Sequence, residues 1–203
     1  MPDGEADLLR VTLDTNCIIA LEEARPLSTD LKNLLELRGS KVRIQVSAMG
    51  ASEKQAPNGW ADNFSVFTDK LANVGLQDSV LLWPLRVWGI TFHGADLWGE
   101  DESGLDDELH RILFPRIPKE LDLPMQADAA AVGKWRNARC DVQSLWCHAQ
   151  SEGAIFVTSD GNFHKETKHS RLESLCKCLI RRPETVLETI ASWTPTSFLE
   201  RPI

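Results

Sequence analysis

Tyrosine is absent from this chain, and no hydrophobic run comes near the ~20 residues that a membrane-spanning helix needs. The start, Met1-Pro2-Asp3-Gly4-Glu5-Ala6-Asp7, has neither the basic stretch nor the apolar core of a secretory leader. Both absences predict a cytoplasmic protein that stays off the membrane. Cysteine is sparse: the five residues Cys17, Cys140, Cys147, Cys176 and Cys178 are odd in number and never form a C-x-x-C pair, which argues against a disulfide framework and for reduced thiols. Cys147, His148, Cys176 and Cys178 offer zinc donor types but lack zinc-type spacing. Internal repeats and low-complexity tracts are missing as well.

What is present suffices for one substantial core. With 203 residues and 42% hydrophobic side chains in short runs, the expectation is a single domain spanning 1–203. The net charge of −8 weighs against a polyanionic ligand until its distribution is considered. Residues 83–130 hold four basic and ten acidic side chains, whereas residues 131–182 hold nine basic and five acidic. Local field steers a ligand more than net charge does, so the second stretch is the candidate face for phosphates. Of the seven tryptophans, most read as core; Trp135, between Lys134 and Arg136, is best placed to stack on a base.

Strand-like and helix-like patterns alternate along the chain. A strand at 9–13 precedes a helix from Asn16, and Ser28-Thr29-Asp30 caps another that Gly39 stops. Residues 42–46 alternate with period two, residues 47–55 form a short helix, and Phe64, Phe67, Leu71 and Val74 recur at helical spacing. The apolar runs at 80–84 and 87–92 do not declare their type. Residues 105–113 form an amphipathic helix in which Asp106 and His110 stand at i, i+4, a spacing open to metal but expected on a solvated face. A long helical stretch from Pro124 reaches Gly153, followed by a buried strand at 154–158, a helix around Leu172–Cys176, a strand at 178–180 and a helix opened by Pro183. Such alternation implies a parallel sheet between helices.

The chemistry-bearing signal is a repeated pattern of strand followed by acid. Leu9-Arg10-Val11-Thr12-Leu13 presents Asp14-Thr15-Asn16, and Ala154-Ile155-Phe156-Val157-Thr158-Ser159 presents Asp160-Gly161-Asn162-Phe163. If the two strands are parallel neighbours, both carboxylates stand at the carboxyl edge of one sheet, where open α/β folds bind ligands. Two acids aimed at one point repel unless a cation lies between them, and oxygen donors suit Mg²⁺ or Mn²⁺. Thr15 or Asn16 is positioned to cap the following helix, and Thr158 or Ser159 to hydrogen-bond a carboxylate.

These features resemble the PIN-domain family of metal-dependent nucleases. The resemblance rests on four stations in order: Asp14 after the first strand, Glu53 on the helix after the second, Asp141 on the helix before the penultimate strand, and Asp160 at that strand's end. It covers residues 9–56 and 128–193, with 57–127 atypical. It implies a three-layer α/β/α fold with a central, mainly parallel sheet. It also implies a Mg- or Mn-dependent hydrolysis of phosphodiesters, most often in RNA, with Asp14, Asp141 and Asp160 as metal ligands and Glu53 as a further ligand or its support. Asn162 stands where many relatives have another Asp. Lys134, Arg136, Arg139, His164, Lys165 and Lys168 are the candidate phosphate contacts. A structure-specific DNA nuclease and a catalytically inactive binding or scaffold module are the competing expectations; an inhibitory partner protein and a homodimer stay open.

Overall fold

In a computed structural model, residues 8–53, 60–87, 90–91, 97, 101, 103–121, 126 and 128–193 are described, with the side chains of Glu53 and residues 60–63 outside the description. The five strands are β1 (Leu9–Leu13), β2 (Val42–Ser47), β3 (Val80–Leu82), β4 (Ile155–Val157) and β5 (Leu179–Arg181). Among the described residues the helices are α1 (Thr15–Glu22), α2 (Ser28–Glu36), α3 (Gly50–Glu53), α4 (Trp60–Asn73), α5 (Leu105–Leu113), α6 (Ala129–Gln150), α7 (Glu166–Cys176) and α8 (Pro183–Ser192). All strand pairs are parallel, in the order β3-β2-β1-β4-β5. Helices cover both faces, as expected of a three-layer α/β/α fold.

Alternation along the strands builds two cores. Leu9, Val11 and Leu13 join Val42, Ile44, Val46, Ile155 and Val157 on one face, packed by α1, α2, α4 and α8 through residues such as Ile18, Leu34, Phe67 and Val186. Phe156, Ile180 and Leu82 turn the other way and meet α5, α6 and α7 through Leu109, Leu145, Trp146 and Leu172. Each fully buried aliphatic or aromatic side chain of this kind contributes about 1.5–3 kcal/mol.

The short middle run around Val80 is a strand, because it finds an edge: Gln45–Ser47 pair with Val80–Leu82. In the second ambiguous run, Ile90 and Thr91 hydrogen-bond back to Val87 O as a turn, and Trp88, Gly89 and Phe92 lie outside the described residues. Helix α7 starts at Glu166, well before the apolar residues that announce it, since Glu166 and Thr167 face solvent and its first turn carries no apolar residue. All five cysteines are buried and reduced. Of the Cys/His zinc candidates, His148 directs Nδ1 to Thr12 and Cys178 lies beside Cys176 and His148; among the described residues no three His, Cys, Asp or Glu side chains gather as a metal-holding group.

Asp106 and His110 are both buried, a correction to the solvated-face expectation. Asp106 accepts two hydrogen bonds from Arg139 Nη2 at 2.9 and 3.0 Å, one from Gln143 Nε2 at 2.6 Å, and pairs with Lys119 Nζ at 2.8 Å. This network joins α5 to the middle of α6. An acid with so many donors is stabilised inside; removing one partner of such a pair costs about 3–5 kcal/mol. Trp135 is likewise core, 5% exposed, with its indole N–H on Lys119 O at 3.0 Å, so it is not a stacking platform.

The face of β1 turned toward α6 is polar. Thr12 donates to Gln45 Oε1 at 3.2 Å, so its hydroxyl accepts the Nδ1–H of His148 at 2.7 Å. That imidazole fills the space above Gly153, where an added Cβ would stand 2.3 Å from both ring atoms Cε1 and Nδ1. The left-handed residue that ends α6 is Glu152 (φ 53), so Gly153 is glycine for room and not for backbone angle. Gly153→Ala is therefore expected to lower stability by about 1–3 kcal/mol through overpacking. Gly133→Ala in the same helix, where a Cβ meets nothing, should add roughly 0.5–1 kcal/mol. Urea unfolding of the two variants beside the parent checks both signs.

Candidate functional site

In this strand order the chain runs from β1 outward to β2 and β3, then returns to place β4 on the other side of β1. The crevice outside the carboxyl ends of β1 and β4 is thus the topological switch point, the usual ligand position in open α/β sheets. Leu13 pairs with Val157, so the next residues, Asp14 and Thr158, stand side by side at that edge, and Asp14 N donates to Val157 O at 3.0 Å.

The two loops are laced together. Thr158 Oγ1 donates to Asp14 Oδ2 at 2.7 Å and accepts from Asp160 N at 3.1 Å. Asn16 Nδ2 donates to Asp14 Oδ2 at 2.6 Å and to Thr158 Oγ1 at 2.9 Å, while its Oδ1 accepts from Ser159 N and Oγ, each at 3.0 Å. Asn16 is therefore a brace between the loops. The cap of α1 is Asp14 itself, which accepts from Thr15 N at 2.8 Å; neither Thr15 nor Asn16 takes that role. Thr15 is buried beside Gly50, with its Oγ1 3.2 Å from where a Cβ on that glycine would stand.

Asp14 is 3% exposed, and its carboxyl is pushed up to about 6 from 3.8. Burial is the main cause, with the negative charge of Asp160 adding to it; the bonds from Thr158, Thr15 and Asn16 pull the other way. Asp160 is half-buried and accepts from Asn162 N at 2.8 Å. The charge of Asp160 thus reaches the buried Asp14 carboxyl across the switch point.

Asp141 is placed by helix register. It lies seven residues before His148, on the same face of α6, about 10 Å further along the axis at 1.5 Å per residue. Asp14 lies two residues beyond Thr12, about 7 Å further along β1 and on the same strand face. Because His148 contacts Thr12, Asp141 stands near the level of the carboxyl edge on the side Asp14 faces. It is half-buried and already engaged in an interaction of its own, and it does not complete a three-acid cluster with Asp14 and Asp160. Glu53 ends α3, directly after β2, and α3 packs on α6; its side chain lies outside the described residues.

The basic candidates divide. Lys134 and Lys165 are exposed and Arg136 is half-buried. Arg139 is 3% exposed and committed to Asp106, because the α5-facing side of α6 is where its register points it; it is not a phosphate contact. His164 bonds Thr158 O through Nε2 at 2.9 Å, and burial, chiefly, lowers its pKa below the usual imidazole value, which weakens it as a phosphate contact. Lys168 does not project into solvent: Nζ donates to Leu113 O and to Asn162 Oδ1, both at 2.6 Å. Asn162 also donates from Nδ2 to Leu113 O at 3.3 Å, so it ties its loop to the end of α5.

Arg182 was missed. It follows β5, the neighbour of β4, and its Nη1 donates to Ser159 O at 3.3 Å, which puts a cation beside the Asp160 loop. The available signal was its position, a basic residue at the carboxyl end of the last strand. Comparison with protein-family models and with curated proteins finds no match to this chain.

Without metal, the Asp14 carboxyl is expected to titrate near pH 6 in carbon-detected NMR, and to titrate lower in Asp160→Asn, where the neighbouring charge is gone. Since its folded value lies above the unfolded one, its ionisation destabilises the fold as pH rises from about 4 through 6. A midpoint unchanged by Asp160→Asn would show that the two carboxylates do not interact.

Proposed function

We propose that this chain is a Mg²⁺- or Mn²⁺-dependent nuclease of the PIN-like type, acting as an endoribonuclease. The observation that carries the reading is the Asp14–Asp160 pair at the switch point, with the Asp14 carboxyl pushed up chiefly by its burial and further by the charge of Asp160. Such a pair is stabilised by a cation, and its hard oxygen donors match a divalent ion that keeps several waters of its own. Asp14 and Asp160 would hold it, with α6 carrying Asp141 and α3 ending at Glu53. When bound, the ion would lower the pKa of water and offset charge on the phosphate.

The remaining roles fall to the chain. Thr158 and Asn16 hold Oδ2 of the Asp14 carboxylate and Thr15 N holds Oδ1, which leaves one lone pair, on Oδ1, for an ion. Lys165, Lys134 and Arg182 supply positive field for a polyanion on a molecule whose net charge is −8. Thr15 and Ser159 shape the loops without touching the reacting atoms in this reading.

A second reading, the inactive binding module, draws on one observation. Both Asp14 oxygens already accept hydrogen bonds, three in all, and that arrangement holds the edge together without any ion. Cleavage separates the two. Activity on labelled single-stranded RNA should require Mg²⁺ or Mn²⁺, stop with chelator, and fall about a hundredfold in Asp160→Asn, ~2.7 kcal/mol of transition-state stabilisation. Asp14→Asn should lose as much. It is a harsher change to the fold, because its new amide N–H₂ confronts the donor Asn16 Nδ2. A parent protein inert on RNA but active on DNA would shift the substrate class; one inert on both would favour the binding module.

Charge reversal probes the RNA face. Lys134→Glu with Lys165→Glu should weaken RNA binding and flatten its salt dependence, whereas Arg111→Glu should do little. Lys119 is unsuitable as a control because it pairs with Asp106 and Asp107. Equal losses from both sets in a titration at two salt concentrations would remove the case for a localised face.

A further inference from the structure

The residues after Asp160 hold a cation of their own. Asn162 N bonds Asp160 Oδ1 at 2.8 Å, which closes a tight turn, and Phe163, fully buried, pins the next position. The Asn162 side chain turns to α5, and Lys168, from the first turn of α7, reaches back to meet it. The ammonium sits on two oxygens, Leu113 O and Asn162 Oδ1, each 2.6 Å away, with the Phe114 ring centroid 6.0 Å off. An ammonium has three protons, and these contacts use two. The Asp160 charge acts on it, though the two form no direct ion pair.

This arrangement bears on how many ions the site accepts. A two-ion phosphodiesterase needs acids enough to hold both. Here the loop after Asp160 offers a neutral carboxamide and a fixed positive charge, and an ammonium that senses the Asp160 charge also repels a second divalent ion beside it. An ammonium is also a compact point charge with a proton to give to a phosphate oxygen.

Resting on the nuclease reading above, we infer that the crevice takes a single divalent ion, between Asp14 and Asp160, and that the Lys168 ammonium, seated on Asn162 and Leu113, stands in the place of a second. Lys168 is then a fixed partner for the substrate phosphate, distinct from the exposed lysines that provide diffuse attraction. The Asn at 162 is the matching half of the device: it accepts from the lysine without adding a charge that would recruit another ion.

Isothermal titration with Mn²⁺ counts the ions independently of activity, with thermal melts to confirm folding. The parent chain should bind one Mn²⁺, and Asp160→Asn should bind it at least tenfold more weakly. Asn162→Asp should remain at one ion, because Lys168 neutralises the new acid. The double variant Asn162→Asp/Lys168→Ala, which trades the ammonium for a carboxylate, should bind two. Two ions in the parent would overturn the inference and leave the nuclease reading standing. No binding at millimolar Mn²⁺ would overturn both. A double variant that melts like the parent yet still binds one ion would refute the role of Lys168, and a double variant that fails to fold leaves the parent and Asn162→Asp counts to decide.

Discussion

Burying a carboxylate at the end of a central strand is costly, and much of the architecture around Asp14 answers that cost. The side chain is nearly inaccessible, so its charge depends on local donors: Thr15 N from the helix it caps, Asn16 from the first turn, and Thr158 from the neighbouring strand. Only the last of these is distant in sequence, and it requires β1 and β4 to be adjacent, parallel and in register. The same hydroxyl then accepts from Asp160 N, which fixes where the second acid goes. One threonine therefore couples the strand register to the spacing of the pair.

The layer behind the crevice is organised by a second buried acid. Asp106 draws Arg139, Gln143 and Lys119 to one point, and Gln143 passes the connection on to Leu85 N at 2.9 Å, just after β3. Helix α6 is thereby fastened at its middle by charge and near its end by His148 on Thr12. A helix of 22 residues held at two points cannot slide by a turn without breaking one of them. Asp141 lies between those two points, so its height above the sheet is set by both.

The strands, most helices and the order of the acids were legible in the sequence because they follow from local pattern: period two, helical spacing, an acid after a strand. Arg139 and Lys168 were not. Each sits in a basic stretch that reads as a solvated face, and each is tied down by a partner far along the chain: Arg139 is buried on Asp106, and Lys168, half-buried, is held on Leu113 O. Gly153 shows the same limit from another side. It looks like a helix stop, yet its reason is the imidazole five residues earlier, which no propensity scale contains.

In the sequence, Asn162 is notable only as an amide where the resemblance expects an acid. Its bonds give it a different meaning. With Nδ2 on Leu113 O and Oδ1 on Lys168, its two ends do opposite jobs, and a carboxylate could perform only the second. An Asp there would lose the donor to α5 and gain a charge against Asp160, raising the repulsion that already acts on Asp14. The carboxamide keeps the loop closed and adds no charge while Lys168 supplies a cation, so asparagine and lysine act together as one unit between the Asp160 loop and α5.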